Sequence, residues 1–153
     1  MAYGTKHVIC KKCFSASMKF SLQSHVATIE NIFSGESVEV ILKRLESEGS
    51  EWSLKQLGLL KRMSPTSLKL TLRHLQASCT MNLKDILQLD YRMYQWLFRN
   101  KDIHEGIRAI LVDHDNTPVW TPGSLDEVTD EMVNSYFQPL APEKELELLD
   151  HRF

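Results

Sequence analysis

Apolar residues recur every three or four positions along most of the chain, which is the spacing of amphipathic α-helices. The stripes are Leu22, Val26, Ile29 and Phe33; Val38, Ile41, Leu42 and Leu45; Trp52, Leu57 and Leu60; Leu68, Leu72, Leu75 and Cys79; Leu83, Ile86, Leu87, Tyr94, Leu97 and Phe98; Ile103, Ile107, Ile110 and Leu111; and Leu125, Val128, Met132 and Tyr136. Alternation of the kind that marks a half-buried strand is missing. The pattern therefore predicts a mainly α-helical fold with six or seven helices.

Residues typical of helix ends separate these stripes. The predicted N-caps are Ser37, Ser64 with Pro65 behind it, Asn82, Asp102 with Glu105 three residues on, and Ser124 with Glu127 three residues on. Gly35 and Gly49 are predicted to end helices. The segment from Asp113 to Gly123 contains two prolines and predicts a loop.

Composition and charge exclude several classes of function. Hydrophobic residues make up 42% of the 153 residues, charged residues make up 25%, and the net charge is -2. This balance gives no basic surplus for nucleic acid. No apolar run reaches the roughly 20 residues that a membrane-spanning helix needs. Three cysteines, Cys10, Cys13 and Cys79, are too few and odd in number for a disulfide scaffold.

The two ends of the chain differ from its centre. No acidic residue precedes Glu30, and the first 29 residues carry Lys6, Lys11, Lys12 and Lys19. Residues 1–21 therefore read either as an organelle transit segment or as a loose, solvated tail. Residues 139–153 are acidic and are predicted to fray from about Ala141.

Three groups of residues carry a resemblance to a known family. They are Ser64-Pro65-Thr66-Ser67-Leu68-Lys69-Leu70-Thr71-Leu72-Arg73; Asp90-Tyr91-Arg92; and His104-Glu105-Gly106-Ile107-Arg108-Ala109-Ile110-Leu111-Val112-Asp113 with Pro118-Val119-Trp120. Together they resemble 3-hydroxyisobutyryl-CoA hydrolases, which are members of the crotonase (enoyl-CoA hydratase/isomerase) superfamily. The resemblance covers about residues 22–138 and leaves 1–21 unmatched. His114 stands where the family often has lysine.

The resemblance implies a fold and an activity. It implies the helical C-terminal half of a crotonase-like fold, without the N-terminal β-spiral core. The implied reaction is hydrolysis of the 3-hydroxyisobutyryl-CoA thioester in mitochondrial valine degradation, with no metal or cofactor. In the family, backbone N–H groups hold the thioester oxyanion and a carboxylate activates water, and both belong to the N-terminal half.

The chain is not expected to carry those catalytic groups itself. An oxyanion hole built from backbone N–H groups usually needs a tight glycine-rich turn. The six glycines are Gly4, Gly35, Gly49, Gly58, Gly106 and Gly123, and no two lie closer than nine residues. The first hypothesis is therefore a truncated hydrolase whose isolated chain is inactive. The alternative is a non-catalytic helical module that docks onto a full-length relative or a larger assembly.

Lys69 and Arg73 are the candidate substrate-binding residues, since they lie four positions apart on one helix and could meet the phosphates of CoA. The alternative interpretation is a solvated polar face. Cys10 and Cys13, with His7, could begin a zinc site, but no second pair of ligands follows, and incidental cysteines in a tail explain them. The sequence thus predicts no metal site.

Four further positions have structural interpretations. Asp90 falls on an apolar stripe and is predicted to find a partner on another segment, because an unpaired buried acid is costly. Glu105, beside His104, is predicted to act as a helix cap. Gly106 predicts close packing with another element. Helices that normally cover a sheet would expose apolar surface without it, so self-association or docking to a crotonase-fold subunit is also predicted.

Overall fold

The computed structural model of the chain describes residues 20–148. Within that range the chain forms seven α-helices, three 3₁₀ turns and one π-helical turn, and no strand. The helices are α1 (Val26–Phe33), α2 (Val38–Glu48), α3 (Glu51–Leu60), α4 (Pro65–Ser78), α5 (Leu83–Leu97), α6 (Lys101–Ile107) and α7 (Asp130–Ser135). The prediction of a mainly helical fold is confirmed.

The chain divides into two compact units, one ending at Ser34 and the other beginning at Gly35. In the first unit, the 3₁₀ turn Gln23–His25 leads into α1, in which Ile32 is buried. The second unit holds the remaining helices and every feature described below.

The α2–α3 pair follows directly from its end residues. The Ser37 Oγ accepts a hydrogen bond from the Val40 N–H at 3.3 Å, and so caps α2 as predicted. Gly49 ends α2 with a φ of 69°, a left-handed conformation that costs glycine little because it lacks a Cβ atom. The chain then turns back, so that α3 packs against α2 and Leu45 becomes fully buried.

The core of the second unit lies between α4, α5 and α7. Its buried members are Leu70, Val128, Val133 and Tyr136, and the partly buried Met93, Trp96, Leu97 and Phe137 pack against them. Helix α4 begins at Pro65 as predicted, with the Ser64 Oγ accepting from the Ser67 N–H at 3.2 Å. Asn82 caps α5, also as predicted.

Most members of the apolar stripes predicted on α4 and α5 are exposed rather than buried in this core. Their exposed members are Leu75, Cys79, Leu83, Leu87, Tyr94 and Phe98. Leu83 is 71% exposed and Leu75 is 60% exposed, whereas the chain buries Leu70 and Leu89. Both helices carry apolar residues on two faces, and Leu97, a member of the predicted α5 stripe, packs against the core. The residues Leu83, Leu87, Tyr94 and Phe98 are called the outer face of α5 below.

Two predicted helix starts are wrong. Asn100 caps α6, since its side chain accepts from the Asp102 N–H, and Asp102 lies inside the helix. The Ser124–Glu127 pair opens only the 3₁₀ turn Leu125–Glu127, after which Val128 is extended. Helix α7 begins at Asp130 with Thr129 as its cap.

The acidic segment after residue 139 packs onto α5 as far as the structure describes it. Leu140 is buried, and a 3₁₀ turn covers Pro142–Lys144. The Arg92 Nε donates to both carboxylate oxygens of Glu145, at 2.8 and 2.9 Å. The predicted fraying from Ala141 is therefore not seen in residues 141–148, and residues 149–153 lie outside the described range.

Candidate functional site

An apolar groove of about 710 Å³ runs between the start of α4, helix α6 with the π-helical turn Arg108–Val112, and the loop that follows. This is a volume typical of small-molecule sites. Its apolar lining is Met63, Leu97, Ile103, Ile107, Ile110, Leu111, Pro118 and Trp120. We call this cavity the α4–α6 groove.

Trp120 forms one wall of the groove, and two contacts fix it there. A Cβ atom added at Gly106 would lie 3.3 Å from the Trp120 ring, so the bare glycine lets the indole approach α6 closely. The indole Nε1–H donates to the Arg62 carbonyl oxygen at 3.0 Å. The prediction that Gly106 packs closely against another element is confirmed.

Asp102 is a buried carboxylate at the base of the groove and is 5% exposed. It accepts a hydrogen bond from the Ser64 hydroxyl at 2.6 Å and another from the Thr121 N–H at 2.8 Å. Each carboxylate oxygen thus has one donor, from the cap of α4 and from the loop. These bonds fasten three separate segments together at the groove.

Arg108 organises the loop after the π-helical turn. Its guanidinium pairs with Glu105 at 2.7 Å, with Asp113 at 2.5 Å and with Asp115 at 2.6 Å. Glu105 also accepts from the Val119 N–H at 2.8 Å. The prediction that Glu105 acts as a helix cap is wrong, because this carboxylate instead joins α6 to the loop.

These bonds shift the pKa values of the cluster. Hydrogen bonding to Arg108, followed by the Val119 N–H, holds the pKa of Glu105 at about 2, below its usual 4.5. Arg108 and the Thr117 N–H also lower the pKa of Asp115. The same carboxylates raise the pKa of Arg108.

The Glu105 shift predicts an acid-sensitive contribution to stability. A group whose folded pKa is lowered stabilises fully above its unfolded pKa, here 4.5, and that contribution is lost as the pH falls towards 2. Arg108→Ala removes the main cause of the shift, so the free energy of unfolding of this variant should fall less steeply than that of the original chain as the pH drops below 4.5. Urea unfolding at about pH 6 and about pH 3 would measure the difference. Arg99→Ala, which removes an arginine stacked on Trp96, serves as control; equal acid sensitivity in all three proteins would contradict the assignment.

The lining of the α4–α6 groove is mostly apolar, with few charged side chains. Among its described lining residues, the charged side chains are Lys61, Arg62 and Asp102. Both Asp102 oxygens already accept hydrogen bonds, and the lining hydroxyls have no histidine beside them. The described lining therefore lacks a nucleophile paired with a base.

Lys69 and Arg73, the predicted phosphate contacts, lie away from this groove in a second cavity of about 350 Å³. The Lys69 Nζ donates to the Val128 carbonyl at 2.9 Å and lies 2.9 Å from Glu39. Burial raises the pKa of Glu39, but hydrogen bonds, chiefly from Lys69, lower it by more, so that its pKa lies below the usual value. Lys69 therefore has a structural role, whereas Arg73 is exposed, and the phosphate contact stays a prediction.

Asp90 has the partner that its position predicted. Its carboxylate lies 2.7 Å from the His74 Nε2, which joins α5 to α4. Asp90 is partly exposed rather than fully buried, since it lies on the outward side of α5.

Several predictions concern chemistry elsewhere in the chain. His7, Cys10 and Cys13 lie outside the described residues. In the range 20–148, no group of three His, Cys, Asp or Glu side chains is placed to hold a metal ion. No helix in that part of the chain is long and apolar enough to cross a membrane.

The sequence does not by itself identify Trp120, Asp102 and Arg62 as residues of the groove. The signal available for Trp120 is the Pro118-Val119-Trp120 motif.

Comparisons with known proteins place these residues in a wider context. A family described as enoyl-CoA hydratase/isomerase matches residues 5–137, beginning further upstream than the resemblance over 22–138. The chain is 46% identical over 122 residues to the mitochondrial 3-hydroxyisobutyryl-CoA hydrolase of Gallus gallus and 43% identical over 121 residues to that of Homo sapiens. These alignments cover 80% and 79% of this chain but 32% and 31% of those proteins, so the chain spans about a third of their length.

Two solved structures resemble the helical fold. A carnitinyl-CoA dehydratase from Mycobacterium thermoresistibile matches with a TM-score of 0.77 and 29% identity, over 82% of this chain and 36% of its own. An enoyl-CoA hydratase from Rhodobacter sphaeroides matches with a TM-score of 0.77 and 30% identity, over 88% of this chain and 40% of its own.

Proposed function

Because this chain belongs to the enoyl-CoA hydratase/isomerase family, we propose that it is the helical C-terminal part of a 3-hydroxyisobutyryl-CoA hydrolase. The complete enzyme would hydrolyse 3-hydroxyisobutyryl-CoA to 3-hydroxyisobutyrate and CoA, in mitochondrial valine degradation. The observation that carries this proposal is identity: 46% to the Gallus gallus hydrolase, against 29% and 30% to the dehydratase and the hydratase.

In this proposal the chain supports the reaction and does not perform the bond cleavage. The α4–α6 groove would offer an apolar wall to the acyl-CoA, and Arg73 would be free to meet a CoA phosphate. The carboxylate that activates water and the N–H groups that hold the oxyanion would come from residues beyond those described. The chain would then need the remaining two thirds of a hydrolase to complete a site.

A chimera tests this function. This chain would replace the matching third of the Gallus gallus hydrolase, and release of CoA from 3-hydroxyisobutyryl-CoA would be followed with a thiol-reactive dye. Protein thiols, among them the exposed Cys79, react with the dye in a fixed burst, so only continuing release counts as turnover. We expect sustained turnover by the chimera and none above background by the isolated chain.

The two contrary results mean different things. Turnover by the isolated chain would show that it contains catalytic groups after all. A folded chimera without turnover would reject the hydrolase proposal for this sequence. The native hydrolase of Gallus gallus, assayed in parallel, provides the positive control.

The alternative is a non-catalytic helical module that docks onto a full-length relative. The outer face of α5 favours it, because Leu89 is the one buried residue of this 15-residue helix and four large apolar side chains remain uncovered. Several exposed apolar side chains on one helix face are typical of an interaction site, although Asp90 lies among them. Self-association through this face would follow from the same exposure, and a folded but inactive chimera would favour this alternative.

A further inference from the structure

The α4–α6 groove is larger than the acyl group of the proposed substrate requires. A 3-hydroxyisobutyryl group has six non-hydrogen atoms, and at about 30 Å³ for each, the volume of one water molecule in the liquid, it occupies roughly 180 Å³. The groove offers about 710 Å³. The apolar residues from Ile103 to Leu111 follow its length over about 12 Å of helix. The groove therefore suits an extended apolar chain.

The charges at the groove favour an anion at one end of that chain. Lys61 and Arg62 line it and are exposed, while Asp102 is the one carboxylate among the described lining residues, so two cations face one anion. Ser64 and Thr121 donate hydrogen bonds to Asp102, so its charge is offset within the protein more than the charges of Lys61 and Arg62 are. The two cations lie four and three residues before Pro65, the first residue of α4, where the helix dipole adds a partial positive charge.

A buried hydroxyl gives an independent indication at the same end. Thr66 is 1% exposed and lines the groove, and its Oγ1 has no hydrogen-bond partner among the described residues. Leaving a buried hydroxyl without a partner costs free energy. As the second residue of α4, Thr66 also carries a backbone N–H that has no acceptor within its own helix.

We propose that the α4–α6 groove binds an amphipathic anion, with its alkyl chain along Ile107 and Leu111 and its carboxylate or phosphate group near Lys61, Arg62 and Thr66. A fatty acid and an alkyl phosphate present the same chemistry. This proposal is independent of thioester hydrolysis, because it concerns binding by the chain alone.

Direct titration of the purified chain tests the ligand class. A dansylated undecanoate would report occupancy, and dodecanoate, dodecyl phosphate, dodecanol and butyrate would compete for it below their micellar concentrations. We expect dodecanoate or dodecyl phosphate to displace the probe at least tenfold more effectively than dodecanol or butyrate. The stronger of the two anions identifies the head group. Equal displacement by dodecanol would overturn the anion requirement, and equal displacement by butyrate would overturn the chain requirement.

Two adjacent apolar residues, one in the groove and one outside it, provide a matched pair of variants. Leu111 and Val112 are each 66% exposed, but only Leu111 lines the groove. Leu111→Glu should weaken dodecanoate binding at least tenfold, whereas Val112→Glu, which adds the same charge one residue away, should change it less than twofold. If both variants weakened binding equally, or if neither weakened it, the ligand would lie elsewhere and the proposal would be overturned.

The head-group end has its own pair of variants. Arg62→Ala should weaken dodecanoate binding about fivefold and leave dodecanol unaffected, while Lys55→Ala, an exposed lysine outside the groove, should affect neither. Far-ultraviolet circular dichroism would verify that each variant keeps its helices. An Arg62→Ala variant that binds dodecanoate as tightly as the original chain would contradict the placement of the anion.

Discussion

Asp102→Ala should lower the free energy of unfolding by about 3 kcal/mol, since it removes two hydrogen bonds to a buried carboxylate and leaves their donors without partners. The carboxylate is 5% exposed and receives the Ser64 hydroxyl and the Thr121 N–H. Small domains are stable by roughly 5–15 kcal/mol, so the loss would be a large share of the total. Urea unfolding followed by circular dichroism measures it.

Two further variants separate the hydrogen bonds from the volume of the side chain. Asp102→Asn keeps an acceptor for the Thr121 N–H and should cost about 1 kcal/mol. Asp126→Ala removes an exposed carboxylate and should change stability by less than about 0.5 kcal/mol. If Asp102→Ala proved as mild as Asp126→Ala, the carboxylate would not be fastening the three segments together.

Tyr136→Ala should cost about 4 kcal/mol, the usual loss when a buried aromatic ring is truncated. Tyr136 belongs to the core cluster with Leu70, Val128 and Val133, and its hydroxyl accepts a hydrogen bond from the Asn100 amide. Asn100 in turn caps α6, so the ring and its hydroxyl stabilise two parts of the second unit. The unfolding transition of Tyr136→Ala, measured with urea or heat, should be much less cooperative than that of the original chain.

The chain offers a matched control for this substitution. Tyr94 is 53% exposed on the outer face of α5, so Tyr94→Ala should change the free energy of unfolding by less than about 0.5 kcal/mol. Tyr136→Phe keeps the ring, removes the hydroxyl and should cost about 1 kcal/mol. Similar losses for the two alanine variants would mean that the core does not lie where the structure has it.

Local signals made most helix boundaries predictable. Ser37, Ser64 and Asn82 cap helices as expected, because a hydroxyl or amide oxygen meets a free N–H within three residues along the chain. The same reasoning failed at Asp102, where Asn100, two residues earlier, takes the cap. Asn100 and Asp102 are both good cap residues and differ little in local preference. The hydrogen bonds that Asp102 accepts from Ser64 and Thr121 occupy its carboxylate, which leaves Asn100 to cap the helix.

The buried faces of α4 and α5 could not be read from spacing alone. The stripes that include Leu75 on α4 and Leu83 on α5 have the helical period, yet Leu70 and Leu89 are the leucines that the chain buries on these helices. Periodicity shows that a helix face is apolar, but it does not show which part of the protein covers that face. In the proposed function, the second apolar face of each helix would pack against the rest of the hydrolase.

The groove depends on contacts between residues far apart in sequence. Ser64 and Asp102 are separated by 38 residues, and Asp102 and Thr121 by 19. No helical period relates such positions, so a single sequence gives no signal for their meeting. The family resemblance marked the segments that build the groove, but not the hydrogen bonds that join them.

The long separation between the halves of the core has a kinetic consequence. Leu70 meets Val128 and Tyr136, and the Lys69–Val128 hydrogen bond spans 59 residues. The α2–α3 hairpin, by contrast, closes through a two-residue connection. Since long loops close at a greater entropic cost than short ones, the hairpin should form early and the docking of α7 onto α4 should set the folding rate. A nascent chain would accordingly leave the side of α4 that α7 covers exposed until residues near 136 have been synthesised.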